Sequence, residues 1–486
     1  MKNNDSTRYK LFKAKDARFD GRFFVGVAST GIYCRPICPA RLPKPENCTF
    51  YDTAAAAERA GFRPCMLCRP ELAPGAAPVD AARSLALRAA RMLEENSNKN
   101  LTLEQIAGRL GCSTRHLRRV FAAEYAITPV QYLQTCRLLL AKNLLTSTDL
   151  AVIEVATAAG FGSLRRFNDL FKERYRLTPT ELRRGSGKNS GGGSGITLGL
   201  GYRQPYRWEP LLEFLAARTI PGVEMVKDGE YYRTARFTVS GNRRLCGWIK
   251  VANRPEKSML EATVDPTLLP VLPQVMAKLR QQFDLYCQPD AVYETLASMN
   301  AIRPNMCVPG VRLPGSFDAF EMAVRAVLGQ QITVKAARTL VTRLVEAYGV
   351  PLQTDIEGLS HTFPAPEEIA AWGADIGDKL GTLGITGARS RTIGALAEAL
   401  ARKTITLDFA AEPEEEMQKL LTIPGIGAWT ANYIAMRAMS WPDAFPHTDY
   451  GVKKALAPRT EKEIFALAEA WRPWRAYATI NLWNSL

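Results

Sequence analysis

Leu420-Leu-Thr-Ile-Pro424-Gly-Ile-Gly427-Ala-Trp429-Thr-Ala-Asn-Tyr433 holds two helical patterns separated by a Pro-Gly-x-Gly turn. It predicts a helix, a hairpin and a second helix beginning near Ala428. Glycine permits close approach of backbone to a phosphate, and a helix N-terminus presents free N–H groups and positive dipole to it. Gly425 and Gly427 are therefore candidate DNA contacts, although the turn alone is also compatible with an ordinary helix pair. Twenty residues past Trp429 comes Asp449, in Pro446-His-Thr-Asp-Tyr-Gly-Val-Lys453. A carboxylate here can stabilise a positive charge that develops beside it and orient water; alone, such a residue is more often a helix cap.

Outward from this stretch, nearly everything from Phe317 onward has helical periodicity. Residues 196 to about 300 mix a helix (Trp208 to Arg218) with strand-like runs, Tyr231 to Phe237 and Leu245 to Val251. Upstream, Gly185-Ser-Gly-Lys-Asn-Ser-Gly-Gly-Gly-Ser-Gly195 has no side chains to build a core and reads as a flexible tether, natural or engineered. A weaker boundary is Leu72 to Pro78. Between the two lies a repeat: Leu103-Glu-Gln-Ile-Ala107 with Gly111 is echoed by Ile153-Glu-Val-Ala156 with Gly160. Phe121, Tyr125 and Thr128-Pro129 recur as Phe171, Tyr175 and Thr178-Pro179. Each copy predicts a helix, a tight turn and a second helix with a basic face: Arg115, Arg118 and Arg119, then Arg165, Arg166 and Lys172. A small Ala four residues before the turn Gly lets the helices cross closely, as in a helix-turn-helix.

Cys34 and Cys38, then Cys65 and Cys68, have metal-ligand spacing. Two such turns can complete a four-thiolate site, which selects Zn(II) in a reducing compartment; a purely structural knuckle and an iron–sulfur cluster are the other readings. Cys48 lies outside both pairs. The ten cysteines and the polar N-terminus MKNNDSTRYK, which lacks an apolar signal core, predict a cytoplasmic protein with thiols or metal ligands rather than disulfides. With 486 residues, about three domains are expected. The 47% hydrophobic content is ordinary for globular proteins, and no apolar run reaches the roughly 18 residues of a membrane span. Residues 1–195 hold 31 Lys and Arg against 17 Asp and Glu; residues 196–486 hold 32 against 31. A basic excess confined to the first part favours a polyanionic partner, nucleic acid above all, over a merely solubilising surface.

Three resemblances follow from these residues. Phe19-Asp-Gly-Arg-Phe-Phe-Val25, Thr30 to Pro36, Gly61 to Cys65 and Cys68 closely resemble the N-terminal domain of the Ada family of bacterial methylation-response regulators. The family's acceptor of a methyl group from DNA methylphosphotriesters matches Cys34. Its usual C-terminal methyltransferase motif, Pro-Cys-His-Arg, occurs nowhere in this sequence. The repeat is similar to the paired helix-turn-helix domain of the AraC class. The hairpin stretch, together with Gln204 to Trp208, Phe214-Leu-Ala-Ala-Arg218, Leu313 to Phe320, Leu328-Gly-Gln330 and Trp471 to Tyr477, resembles the AlkA family of 3-methyladenine DNA glycosylases.

The resemblance implies Asp449 as the glycosylase catalyst and Phe214, Trp429, Tyr433, Tyr450 and Trp483 as walls of the base pocket. Aromatic faces suit an electron-poor or cationic alkylated purine. Trp429 stands where lyase-type relatives carry a lysine, which implies water as nucleophile. Gln331 matches the residue inserted into the duplex; some relatives have leucine there, so Gln331 is a departure, as is Thr448. Carbonyls of Leu421, Ile423 and Ile426 match a structural monovalent cation site.

The expected architecture is multidomain, mainly α with α+β parts: a small zinc α+β domain (1–76), a paired helix-turn-helix bundle (79–184), the linker (185–195), an α+β subdomain (196–305) and an all-α helix-hairpin-helix glycosylase domain (306–486). The expected function is a methylation sensor and transcriptional activator fused to an alkylbase glycosylase. Expected partners are double-stranded DNA and RNA polymerase, for a nucleoid-associated monomer. Two other readings are a regulator whose glycosylase half only binds damaged DNA, and a repair enzyme without a regulatory role.

Overall fold

The computed structural model describes residues 2–16, 19–73, 85–99, 101–185, 195–239, 243–408 and 412–486. Most of the Gly/Ser stretch, and most of the 72–78 boundary, lie outside these. The chain groups into two compact units, 1–204 with 253–277 and 285–287, and 205–252 with 278–284 and 288–486. The architecture is multidomain and mainly helical, with small sheets.

In the first unit, helix Lys2–Ala14 precedes a four-stranded sheet in the order β3-β1-β2-β4, from Cys48–Tyr51, Phe24–Val27, Ile32–Cys34 and Arg63–Pro64. β1 pairs antiparallel with β2 in the register Val25↔Cys34, which fixes the first cysteine at a strand end. Phe12, Phe23 and Val25 are buried around the cysteines. Too few apolar residues surround that cluster to form a large core, so a metal tie is physically reasonable for so small a domain.

The repeat folds as two copies of one unit. Helix Leu103–Arg109 leads to Thr114–Tyr125, and Val152–Ala158 to Leu164–Tyr175. Gly111 and Gly160 carry the turns at φ of +66° and +89°. Gly160 is doubly required, because a Cβ there would lie 2.6 Å from Asn98 Cα. Ser113 and Ser163 cap the second helices through the backbone N–H groups of His116 and Arg166. Ala107 and Ala156 are buried at the crossings, and Phe121/Tyr125 and Phe171/Tyr175 form equivalent aromatic pairs in the two cores. Thr128 and Thr178 open the following helices with reciprocal caps to Gln131 and Glu181. Strand β5 (Ile196–Gly201) pairs antiparallel with β9 (Met259–Val264).

The second unit carries a meander. β6 (Glu224–Lys227) pairs with β7 (Glu230–Val239), and β7 with β8 (Arg243–Arg254). A helical array follows. Its centre is helix Ala319–Leu328, eight of whose residues are buried. The hairpin joins helices Pro413–Leu421 and Ala428–Arg437, the second starting at the residue expected. Among the described residues no helix is long and apolar enough to cross a membrane.

Candidate functional site

In the first unit, one sulfur from each of Cys34, Cys38, Cys65 and Cys68 lies within 4.8 Å of the other three, and all four residues are buried. Four thiolates on two short turns, with Sγ atoms close enough to share one ion, fit a tetrahedral Zn(II) site. Cys48 is not among them; its thiol lies against the Lys44 carbonyl. Arg35, beside Cys34, is buried against Asp20 and donates its backbone N–H to Cys68 Sγ at 3.3 Å. Such a second layer fixes the direction of a ligand sulfur.

The cysteine domain is also tied to the repeat. Glu58 is fully buried and accepts hydrogen bonds from Tyr33 Oη and Thr135 Oγ1, both at 3.0 Å, while Arg174 donates to its carbonyl at 2.7 Å. Burial pushes the Glu58 carboxyl up to about 7. Glu71 pairs with buried Lys142 at 2.5 Å, and Arg69 reaches Asn143 at 2.8 Å. The ties from Glu58, Glu71 and Arg69 to the repeat were not anticipated from sequence, which gives no signal for a pairing across 70 or more positions.

Arg115, Arg118, Arg119, Arg165, Arg166 and Lys172 are all exposed on the second helix of their copy. Their heads are available to phosphate or to base edges, although Asp169 and Glu173 share a shallow cleft with Arg165 and Arg166.

In the second unit, Asp449 caps helix Tyr450–Ala455. Its Oδ1 accepts from the backbone N–H groups of Gly451 and Val452 at 2.8 and 3.1 Å, and from Trp483 Nε1 at 2.8 Å. Its Oδ2 accepts from Trp429 Nε1 at 3.0 Å. The residue is thus both a helix cap and a carboxylate held by two indoles. Oδ1 is saturated, and Oδ2 keeps accepting capacity.

Around it the aromatic faces converge. Trp429 stacks on Tyr433 with centroids 5.2 Å apart, and Phe214 lies parallel to Trp483 at 6.2 Å. Tyr433 and Trp483 meet at 6.3 Å. All four are partly exposed, as walls of an open site must be. Tyr450 is different: it is 77% exposed and makes no ring contact with these four among the described residues. Gly451 was not singled out from sequence, yet a Cβ there would sit 2.7 Å from Trp483 Cδ1.

The hairpin glycines also differ from one another. Gly425 has φ +91° and a Cβ would fall 2.1 Å from Thr392 Oγ1, which itself donates to the Pro424 carbonyl. Its absent side chain is explained by internal packing. Gly427 caps the second helix with nothing within 4 Å, leaving room for close approach. Gln330 Nε2 donates to the Gly425 carbonyl at 2.9 Å. Gln331 is exposed with φ +54°, between helices Ala319–Leu328 and Val334–Tyr348. Of the three carbonyls considered for a cation, that of Ile423 already accepts from Ile426 N–H at 3.0 Å.

Family models match four consecutive segments: the metal binding domain of Ada at residues 7–71, a helix-turn-helix domain at 106–185, the AlkA N-terminal domain at 197–318, and the HhH-GPD superfamily of base excision DNA repair proteins at 324–461. A Mycobacterium tuberculosis protein described as a probable bifunctional transcriptional activator/DNA repair enzyme AlkA is 38% identical over 98% of this chain and 96% of its own length. The chain belongs to this family. Members of narrower scope match parts of it. DNA-3-methyladenine glycosylase 2 of Escherichia coli is 37% identical over 58% of the chain and 95% of its own length. The bifunctional activator/repair enzyme AdaA of Bacillus subtilis is 35% identical over 35% of the chain and 77% of its own length. A bifunctional activator/repair protein therefore accounts for both the cysteine cluster and the aromatic site.

Proposed function

We propose that this chain removes a methyl group from DNA methylphosphotriesters onto Cys34, uses that event to activate transcription, and excises alkylated bases such as 3-methyladenine by hydrolysis. The observation that carries the excision reading is Asp449, gripped by the indoles of two tryptophans whose ring faces wall the adjoining site.

In the base-excision reaction a damaged nucleotide leaves the duplex and its base enters among Phe214, Trp429, Tyr433 and Trp483, where stacking favours an electron-poor ring. The C1′–N bond breaks, its electron pair goes to the base, and positive charge develops on the sugar. Asp449 stabilises that charge through Oδ2 and orients water toward C1′; the water oxygen bonds C1′ and its released proton passes by way of the carboxylate to solvent. The two indoles and two backbone N–H groups hold the carboxylate so that it need not reorganise as charge appears. Water is the nucleophile, with no lysine adduct. Gln331 fills the space in the duplex, and Gly427 N–H approaches a phosphate.

In the sensor reaction Cys34 Sγ attacks the methyl carbon, the carbon–oxygen bond breaks, and its electron pair restores a phosphodiester. Cys34, Cys38, Cys65 and Cys68 would hold Zn(II), which when bound would supply the acidity that keeps thiols ionised at neutral pH. Arg35 holds the Cys68 sulfur in place. Alkylation removes one negative charge at Cys34, which lowers repulsion toward DNA and strengthens promoter binding by the basic helices. RNA polymerase as a protein partner, a monomeric nucleoid-associated state and a monovalent cation at Leu421, Ile423 and Ile426 belong to the same reading.

The test incubates the protein with methylated duplex DNA, then separates free bases by chromatography and maps methyl groups on the protein by mass spectrometry. Free 3-methyladenine together with methyl on Cys34 is expected. Damaged-DNA binding without free base would leave the glycosylase half a binding module; base release without promoter-selective binding after methylation would leave a repair enzyme alone.

A further inference from the structure

Behind the aromatic walls is a buried cation that the excision chemistry described above does not use. Arg437 is 2% exposed and lies one helical turn after Tyr433. It donates to the carbonyls of Pro314 and Gly315, and its Nη1 donates to Tyr433 Oη at 2.9 Å. No carboxylate pairs with it among the described residues. Its guanidinium carbon lies 4.8 Å from the centroid of the Phe214 ring and 5.7 Å from that of Tyr433. Arg218 sits 3.7 Å from the same Phe214 ring. A guanidinium buried without an anion costs several kcal/mol unless something nearby uses its charge. Placed beside a site read as taking cationic bases, it is unexpected, since a positive alkylpurine would be repelled.

We infer that Arg437, through Tyr433, adapts the pocket to neutral damaged purines, whose bases leave carrying negative charge, and is a specificity-determining positioning residue. The inference rests on the excision reading above. Arginine can only donate, so Tyr433 Oη is the acceptor in that pair and its own hydrogen is turned elsewhere. Among the described residues no protein acceptor takes it. The phenol therefore offers a hydrogen bond into a site where a base ring would stack. Although burial alone would raise the Tyr433 phenol, the charges of Arg437 and Arg218 bring it below its ordinary value, which makes it a stronger donor.

The two substrate classes use this donor differently. A cationic alkylpurine departs as a neutral base and needs no acid. With a neutral purine such as hypoxanthine, the C1′–N9 bond breaks with its electron pair remaining on the ring, and the departing base is an anion. Water oxygen bonds C1′, and the proton that water releases passes by way of the Asp449 carboxylate and solvent to the purine. Tyr433 donates a hydrogen bond to the ring as its charge grows, and Arg437 stabilises the same charge from behind. The phenol keeps its proton throughout.

The test measures single-turnover release from two duplexes, one methylated to contain 3-methyladenine and one with a single hypoxanthine, using wild type, Tyr433→Phe and Arg437→Met. Wild type is expected to release both bases. Tyr433→Phe keeps the ring and the buried arginine, and should lower hypoxanthine release by ~10-fold or more beyond whatever loss it causes in 3-methyladenine release. Arg437→Met should show the same split, and Arg437→Lys should restore part of it. If Arg437→Met does not fold, Tyr433→Phe decides. Equal loss on both substrates, or a wild type that releases 3-methyladenine but no hypoxanthine, overturns the inference. A wild type that releases neither overturns the excision reading itself.

Discussion

Replacing Asp449 by Asn isolates charge from shape. Asparagine caps a helix about as well as aspartate, so Oδ1 of the amide can keep its bonds from Gly451, Val452 and Trp483. The amide nitrogen then faces Trp429 Nε1, a donor opposite a donor at 3.0 Å, but the partly exposed indole can turn to water. The thermal midpoint should therefore move by only a few degrees, for a loss of about 1 kcal/mol. The catalytic loss is larger. With about 3.5 Å between Oδ2 and the sugar cation and an effective dielectric near 20, the lost attraction is about 5 kcal/mol before the amide dipole returns part of it. A drop of ~10²- to 10³-fold in the rate of 3-methyladenine release follows. The assay is single-turnover release from methylated duplex, run beside DNA binding by gel shift and methyl mapping on Cys34. Binding and methyl transfer should be unchanged. Release within about threefold of wild type would refute the role of the carboxylate, and a borohydride-trapped adduct in wild type would refute water as nucleophile.

Other outcomes are expected. Trp429→Phe and Trp483→Phe each keep an aromatic face but delete one donor to Asp449, and should slow release by about 3- to 10-fold, the worth of one hydrogen bond, with DNA affinity held within about twofold; unchanged single-turnover rates would contradict a positioning role. Elemental analysis of metal-replete protein should find about one zinc per chain, and Cys65→Ala should abolish it. Methylation of Cys34 should tighten operator binding in low salt by on the order of a few kcal/mol before screening, and equal affinity of the two forms by gel shift would contradict the charge switch. Glu58 has a carboxyl raised by burial to about 7, so the stability it contributes when protonated is fully present below its ordinary value of 4.5 and is lost as pH rises through about 7. Urea unfolding of the first unit should show up to about 3 kcal/mol less stability at pH 8.5 than at pH 4.5 from this group, and Glu58→Gln should remove that component.

What the sequence alone could determine is whatever is encoded over a few neighbouring positions. The hairpin at Pro424 to Gly427, the two turns at Gly111 and Gly160, and the existence of strands β7 and β8 were legible because glycine conformation and periodicity act within a turn or two. The four cysteines were legible because two short ligand turns are a local device, and the matched family segments include both these cysteines and the hairpin. Tertiary structure decided the rest. Phe214 and Trp483 stand 269 positions apart, and no local pattern says that their rings lie parallel at 6.2 Å. Tyr450 follows Asp449 directly and opens the helix that Asp449 caps, and its 77% exposure is likewise set by the fold and not by its neighbours in sequence. Gly425 reads as a phosphate contact, but its missing Cβ makes room for Thr392, 33 positions upstream. Arg437 carried a usable signal, the i, i+4 spacing from Tyr433, but its burial without an anion depends on Pro314, Gly315 and Phe214 closing around it. Local conformational preference is written in neighbouring residues, whereas burial and electrostatic environment are set by segments that meet only once the chain has folded.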